Sequence, residues 1–485
     1  MGKRLVNLSI ISSVTSLLLV IAAPFGYADS EVDGGNNSVT IPVEDVNNFA
    51  KVYAITKSYY VESVTDSKLI DGAISGMLSS LDPHSTYLNQ NEFKQLTEMT
   101  SGSFAGLGIE VSREKGDAIK VVAPIDGTPA YYAGIKSGDM IIKIDGDPVA
   151  DMSLDDAIKK MRGKAGTSVN IAVLRANELK PLSFSIKRAI ISVKSVKYTM
   201  LNQNYGYVRI TNFQSETTSE LVAALNTLLR KNHNLKGIVL DLRDDPGGVL
   251  QSAVGVVGAF VPKNSLAVYT KGRAPGSEQK FYVNPANYMM PDKNVPDPLS
   301  SCSQIFQHLP MVVLVNQGTA SASEIVSGAL QDYNRAKILG TRTFGKGSVQ
   351  TVIPLTKDTA IKLTTALYFT PKGRSIQAEG IMPNIIIKSE YSDILDSWDM
   401  SEASLGKHLN NPNGALAKKE SIPVIAPPKQ ITTQAELTAK NKDRMNKLPK
   451  VVDQNVAEVD LNADFQLKWA LNILEGKPIP KKSAN

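Results

Sequence analysis

Two unbroken apolar runs most constrain what this chain can fold into. Gly237–Leu242 reads GIVLDL, and Met311–Val315 reads MVVLV. Short runs without polar alternation suit strands covered on both faces, as in a parallel sheet flanked by helices. Each run ends in a turn of small residues. The first is followed by Arg243-Asp244-Asp245-Pro246-Gly247-Gly248, the second by Asn316 to Glu324, NQGTASASE. Helical patterns surround them: Thr217–Lys231, with Leu221, Leu225, Leu228 and Leu229 on one face, then Val249–Phe260 and the stretch after Ser323. Such alternation predicts right-handed crossovers. It places both turns at strand carboxyl ends, where open α/β sheets bind ligands.

The second turn offers a nucleophile. Ser321 sits among small residues at a strand-to-helix junction, where a substrate backbone could approach closely. A serine hydroxyl needs a base. The four histidines, His84, His233, His308 and His408, all lie far from Ser321 in sequence. That does not exclude a triad, but it makes another base worth seeking. Lys346, in Phe344-Gly345-Lys346-Gly347, is the candidate. Burial and nearby cations or dipoles can hold a lysine neutral. The Ala322 N–H, at a helix start, and an N–H of Gly247-Gly248 could receive an oxyanion.

Other readings compete for the same residues. Ser321-x-x-Glu324 is also a helix capping box, and Ser323 is a neighbouring serine. Gly340 to Lys346 fits the phosphate-loop pattern G-x-x-x-x-G-K. However, Gly347 stands where a hydroxyl would hold magnesium, and a strand pattern follows instead of a helix. The single cysteine, Cys302, permits neither an internal disulfide nor a thiolate zinc site. No metal or cofactor is expected. Lys and Arg alternate with Asp and Glu, so the net charge of +6 forms no stripe suited to nucleic acid.

The remaining chain divides by pattern. Lys3 and Arg4, the apolar Leu5 to Pro24 and the small residues Gly26-Tyr27-Ala28 predict a signal peptide over 1–28. An uncleaved anchor is the alternative. No later stretch is apolar for about 18 residues. Residues 29–100 predict a helical module that packs or dimerises. Residues 101–190 are strand-rich, with one helix, Leu154–Met161, capped by Ser153. Arg162 ends that helix and reads as a solvated cation. Residues 191–390 carry the α/β pattern, interrupted at 271–309 by what reads as a mobile surface insertion holding Cys302. Residues 391–485 read as an accessory region. It has a charged helix over 436–446 and a final helix capped by Asp464.

Two resemblances follow from these motifs. Gly106-Leu107-Gly108-Ile109, Ala133-Gly134-Ile135-Lys136-Ser137-Gly138-Asp139 and Asp145-Gly146, with the late helix, resemble a PDZ domain. The resemblance implies that Gly106, Leu107, Gly108 and Ile109 bind a peptide carboxylate and pair with its backbone. Leu107, Ile109 and Ile158 would line an apolar pocket. In the core, S-A-S-E-I, A-L-Q-D, T-F-G-K-G-S-V-Q and D-L-R-x-x-P-G-G occur in order. They resemble the carboxy-terminal processing peptidases, Tsp/Prc-like Ser-Lys endopeptidases with an embedded PDZ domain. That family implies a multidomain α+β chain: a helical N-terminal module, a PDZ domain, a ClpP/crotonase-like α/β peptidase core and a helical C-terminal region.

The family also implies roles. Ser321 would be the nucleophile, Lys346 its base and Gln350 the residue orienting the lysine. Gly248 and Ala322 would be the oxyanion donors, with Gly247 the close rival. Where the family has Asn before Pro-Gly-Gly, this chain has Asp245, whose side chain is expected to point outward. The expected activity is exported serine endopeptidase, periplasmic or on the outer face of the inner membrane. Its partners would be polypeptides with accessible C-termini, and it would form a homodimer with room for peripheral membrane association. The alternative is an inactive periplasmic PDZ adaptor.

Overall fold

A computed structural model describes residues 42–113, 118–125, 127–176, 178, 180–289, 295–388, 401–414, 422–427, 455–457 and 459–479. The signal segment and the 436–446 helix lie outside these residues. The N-terminal module contains helices α1 (Val43–Tyr59), α2 (Asp66–Ser79) and α3 (Gln90–Ser101), with the short strand β1 (Thr86–Leu88) between the last two. Thr65 caps α2, and Asn89 caps α3 with Glu92 closing the box. No residue of α1 is buried, and Val46, Phe49, Val52, Ile55 and Tyr59 are exposed.

The next module holds β2 (Ser103–Gly106), β3 (Ile109–Ser112), β4 (Ile119–Pro124), the one-turn α4 (Pro129–Tyr132), β5 (Met140–Ile144), β6 (Asp147–Pro148), α5 (Leu154–Met161), β7 (Ser168–Leu174), β8 (Leu182–Lys187) and β9 (Ala189–Ser192). Ser153 caps α5 as its sequence predicts, its Oγ accepting from the Asp156 N–H at 3.1 Å. Strands pair in the order β3-β4-β5-β7-β8, so β3 is an edge. An edge strand keeps main-chain groups free to pair with an added peptide.

The core begins with β10 (Val196–Leu201), β11 (Tyr205–Ile210), α6 (Thr217–Lys231), β12 (Gly237–Asp241), α7 (Leu250–Gly258), β13 (Leu266–Lys271), β14 (Gln279–Tyr282) and α8 (Pro285–Tyr288). It continues with β15 (Met311–Val315), α9 (Ala322–Asp332), β16 (Lys337–Gly340), β17 (Ser348–Pro354), β18 (Ala360–Phe369), β19 (Ile385–Ile387), β20 (Val424–Ile425) and α10 (Phe465–Leu474). Seven strands form one sheet in the order β10-β11-β12-β15-β16-β19-β20, and all neighbours beyond the β10–β11 pair run parallel. The apolar runs are unbroken because both faces are covered. Ile238, Leu240, Val313 and Val315 meet α6, α7 and α9, while Val239, Val312 and Leu314 meet Leu467, Ala470 and Leu471 of α10.

Two expectations need correction. The described residues of 271–309 are not a surface insertion. β14 pairs with β13, and Phe281, Val283, Tyr288, Phe306 and Leu309 are buried in the core. Their apolar residues fall in short clusters such as Phe281-Tyr282-Val283, broken by Asn and Pro, so no periodic run announces them. Cys302 is half-buried there, and burial pushes its thiol up to about 11, which leaves it unreactive at neutral pH. The final helix is likewise no accessory. It forms the second layer of the sheet, and β20 adds an edge strand from the same region.

Candidate active site

Three turns meet at the carboxyl ends of β12, β15 and β16. The first two are joined directly. The Asn316 Nδ2 donates to Asp244 Oδ1 at 2.8 Å, and the Thr319 hydroxyl donates to the Leu242 carbonyl at 2.7 Å. The Ala320 N–H donates to the Asp245 carbonyl at 2.9 Å. The first turn is anchored from below by Arg243, which holds Asp241 and Asp464, each at 2.6 Å. Tyr207 donates to Asp241 at 2.8 Å. Burial alone would raise the Asp241 carboxyl; the charges of Arg243 and Arg209 outweigh it and hold the group low.

Ser321 occupies a strained position, φ 56° and ψ −114°, at the N-cap of α9. A non-glycine residue there costs about 1–3 kcal/mol, and such strain recurs at functional turns. The capping box is recognisable but incomplete. The Ser321 N–H donates to Glu324 Oε2 at 2.9 Å, as the box requires. The Glu324 N–H, however, donates to the Ser321 carbonyl at 2.9 Å, and the hydroxyl makes no cap hydrogen bond. The Ser321 turn thus keeps the reciprocal arrangement of a capping box, and a capping role stands beside a chemical one.

Glu324 does more than close a cap. Fully buried, it accepts from Ser321 N–H, Gly345 N–H at 2.7 Å, Lys346 N–H at 2.9 Å and the Thr343 hydroxyl. One oxygen, Oε2, serves both Ser321 and Lys346, so their main-chain nitrogens lie no more than two hydrogen bonds apart. Burial pushes the carboxyl up to about 7, against the pull of these four donors. The Tyr368 hydroxyl adds a second bridge, reaching the carbonyls of both Ser321, at 3.1 Å, and Lys346. The structure thus brings Ser321 and Lys346 together through one carboxylate and one phenol.

Lys346 is largely buried. Desolvation, with the neighbouring Lys362 cation, lowers it to about 8, while Glu402, Glu324 and Asp82 oppose that shift. Gln350 is buried on β17, its Nε2 donating to Ser348 Oγ at 2.9 Å and to Thr364 Oγ1 at 3.3 Å.

The glycine pair lies against the serine. An added Cβ at Gly247 would stand 2.7 Å from the Ala322 nitrogen and 2.8 Å from Ser321 Cβ. Gly248 bridges Phe213: the Phe213 N–H donates to the Gly247 carbonyl, and the Val249 N–H to the Phe213 carbonyl. The Gly248 N–H therefore faces away from Phe213. Neither it nor the Ala322 N–H has a main-chain acceptor among the described residues.

Asp245 does not point outward. It is fully buried, with Oδ1 accepting from the Gly247 N–H at 2.8 Å and Oδ2 unpartnered among the described residues. Burial pushes it up to about 7, with the Gly247 N–H, Ser323 and Arg209 pulling the other way. The Ser323 hydroxyl donates to the Asp245 carbonyl at 3.1 Å, which gives that serine a structural task.

In the strand-rich module, Leu107 is buried among the core side chains, and Ile109 and Ile158 pack at its margin. Gly108 has φ +77°, and a Cβ there would collide with Thr128. Arg162 is not merely solvated. It pairs with Glu98 of α3 at 2.8 Å and lies over the Phe104 ring. Sequence separation concealed Tyr368, Lys362, Glu402 and Asp82 as neighbours of the lysine. Glu324 was visible, but only as a cap. Among the described residues no group of His, Cys, Asp and Glu could hold a metal.

Comparison with known proteins agrees with this layout. The sequence profile of peptidase family S41 matches residues 204–387, a PDZ domain profile matches 120–175, and the N-terminal domain profile of the activating protease CtpB matches 24–92. The chain is 43% identical over 365 residues to a carboxy-terminal-processing protease of Bartonella bacilliformis, covering 74% of this chain and 80% of that one. It is 36% identical over 392 residues to carboxy-terminal processing protease CtpA of Bacillus subtilis, covering 81% and 78%. A solved photosystem II D1 C-terminal processing protease is 28% identical, with 73% and 92% covered and a TM-score of 0.40.

Proposed function

Because the chain belongs to the carboxy-terminal processing proteases of peptidase family S41, serine-type endopeptidases with a PDZ domain, we propose that Ser321 and Lys346 are its catalytic dyad. The observation that carries this reading is the shared Glu324 carboxylate, which ties the Ser321 turn to the loop of a buried lysine lowered to about 8. Neutral Lys346 Nζ takes the Ser321 proton as Oγ attacks the peptide carbonyl. The oxyanion accepts hydrogen bonds from the Gly248 and Ala322 N–H groups. Lys346 then protonates the departing amine, leaving an acyl-enzyme. Water, deprotonated by Lys346, attacks the ester and regenerates Ser321. Gln350 orients the lysine.

Substrates are polypeptides with accessible C-termini, held at Gly106 to Ile109 by pairing with the exposed edge of β3. Export rests on the sequence of residues 1–28 and places the enzyme in the periplasm or at the outer face of the inner membrane. No helix among the described residues is long and apolar enough to cross a membrane. The apolar face of α1 is suited to pairing with a second copy, which supports a homodimer.

A fluorophosphonate probe should phosphonylate Ser321 alone, its hydroxyl oxygen displacing fluoride from phosphorus, read as the mass of the probe less HF on the peptide containing Ser321. Labelling that persists in Ser321→Ala would refute the assignment, and an unlabelled wild type that still binds C-terminal peptides would favour the adaptor.

A pH profile tests Asp245. Activity should rise with pH through about 8 as Lys346 loses its proton. Asp245 becomes an anion beside the oxyanion donors from about 7 upward, which opposes the same step. Asp245→Asn keeps the acceptor for Gly247 and removes that charge. It should raise kcat roughly 3- to 10-fold at pH 8.5, about the effect of one screened charge at close range, with little change at pH 6. Parallel profiles for the two proteins would show that the carboxylate does not act on the oxyanion.

A further inference from the structure

Gln350 carries an ambiguity that its surroundings resolve. A glutamine can present its carbonyl or its amide nitrogen to a neighbour, and only the carbonyl can accept from a lysine. Gln350 sits directly opposite Thr364 in the β17–β18 pairing. That register depends on a bulge between Val349 and Gln350, which shifts the pairing from Val349–Ala366 to Gln350–Thr364. The Thr364 hydroxyl has one proton, and it donates it to Asp82 Oδ1 at 3.1 Å. Its lone pairs are what Gln350 meets. The amide nitrogen must therefore face Thr364, at 3.3 Å, which leaves Oε1 for another donor.

Asp82 is itself rigidly held. Oδ1 accepts from the N–H groups of His84, at 2.8 Å, and Ser85, at 2.9 Å, and Oδ2 from the Ser85 hydroxyl at 2.7 Å. The Thr364 N–H in turn donates to Ser85 Oγ at 3.1 Å. Thr86–Leu88 continues the contact by pairing with β18. Asp82 is 5% exposed and Gln350 8%, so water does not compete for these groups. Four donors on a buried carboxylate favour its ionised, acceptor-only form.

We propose that Asp82, carried by the N-terminal helical module, is a positioning residue for catalysis: through Thr364 it fixes the Gln350 amide so that Oε1 faces Lys346. The inference rests on the Ser321–Lys346 reading above. It makes the helical module part of the working site, since the turn between α2 and β1 holds the orientation of a side chain on β17.

The test is kcat and KM on an unstructured peptide for Thr364→Val, Thr364→Ser, Gln350→Ala and the Thr364→Val/Gln350→Ala double variant. Thr364→Val keeps the shape and loses the hydroxyl. It should lower kcat roughly 10- to 100-fold with KM unchanged, the size expected for a misaligned catalytic group. Thr364→Ser should recover most of that loss. In the Gln350→Ala background Thr364→Val should add nothing, because both changes remove one interaction. A wild-type kcat in Thr364→Val, with Gln350→Ala impaired, overturns the relay alone. So does a Thr364→Val loss that persists undiminished in the Gln350→Ala background. Full activity in Gln350→Ala overturns the role of Gln350 and the relay with it, while Ser321→Ala and Lys346→Ala report on the dyad separately.

Discussion

Lys346→Ala should lower kcat/KM by about 10⁴-fold or more, the loss typical when one member of a nucleophile–base unit is removed. Ser321→Ala should lose as much, and the double variant no more, because neither group works alone. The measurement is cleavage of an unstructured peptide beside thermal unfolding of each variant. Stability separates this result from a folding defect. The lysine is pushed down to about 8 from an ordinary value of 10.5, chiefly by burial. Its charged form is therefore disfavoured in the folded state. The cost is fully present below pH 8 and disappears as pH rises from 8 towards 10.5. Lys346→Ala should consequently be as stable as the wild type or more so at pH 7, with the gain shrinking in alkali. An inactive variant that is also less stable at pH 7 would point to a structural lysine instead.

Gly247→Ala should lower kcat by about 10²- to 10³-fold, comparable to loss of an oxyanion donor. Two effects combine at this position. Its φ of +92° is unfavourable to any residue with a Cβ, and the new methyl would stand 2.6 Å from the Ala320 carbonyl and 2.7 Å from the Ala322 nitrogen. The collision falls on the turn that sets Ser321, so the nucleophile and one donor shift together. Gly72→Ala is the control. Gly72 lies within α2 with open space around it, and alanine there should leave kcat unchanged and stabilise the helix by about 0.5–1 kcal/mol. Wild-type kcat in Gly247→Ala would remove this loop from the catalytic site.

Much of this was legible in the sequence where a local rule leaves a local mark. The apolar runs GIVLDL and MVVLV announced a sheet covered on both faces, and the motifs around Ser321 and Lys346 announced the family. Ser153 and Asp464 marked helix starts that the structure retains. What stayed hidden depends on distant pairings. Asp82 meets Thr364 across 282 positions, and His84 meets Glu402 across 318. Neither pair has a periodicity to betray it. The inward direction of Asp245 leaves no mark in composition. A carboxylate in a polar turn is ordinarily solvated, yet the neighbouring turn covers this one completely. Within 271–309 the buried aromatics Phe281, Tyr288 and Phe306 lie too far apart in sequence to read as elements.

The clasp between Arg243 and Asp464 bears on the order in which the fold can close during synthesis. The two residues are 221 positions apart. While the chain is being made, Arg243 emerges long before its partner exists. Until Asp464 and the helix behind it arrive, one face of the sheet is bare and Arg243 lacks one of the two carboxylates that hold the turn bearing Gly247 and Gly248. The ribosome can thus complete the Ser321 and Lys346 loops before the helix that covers the other face of their sheet exists.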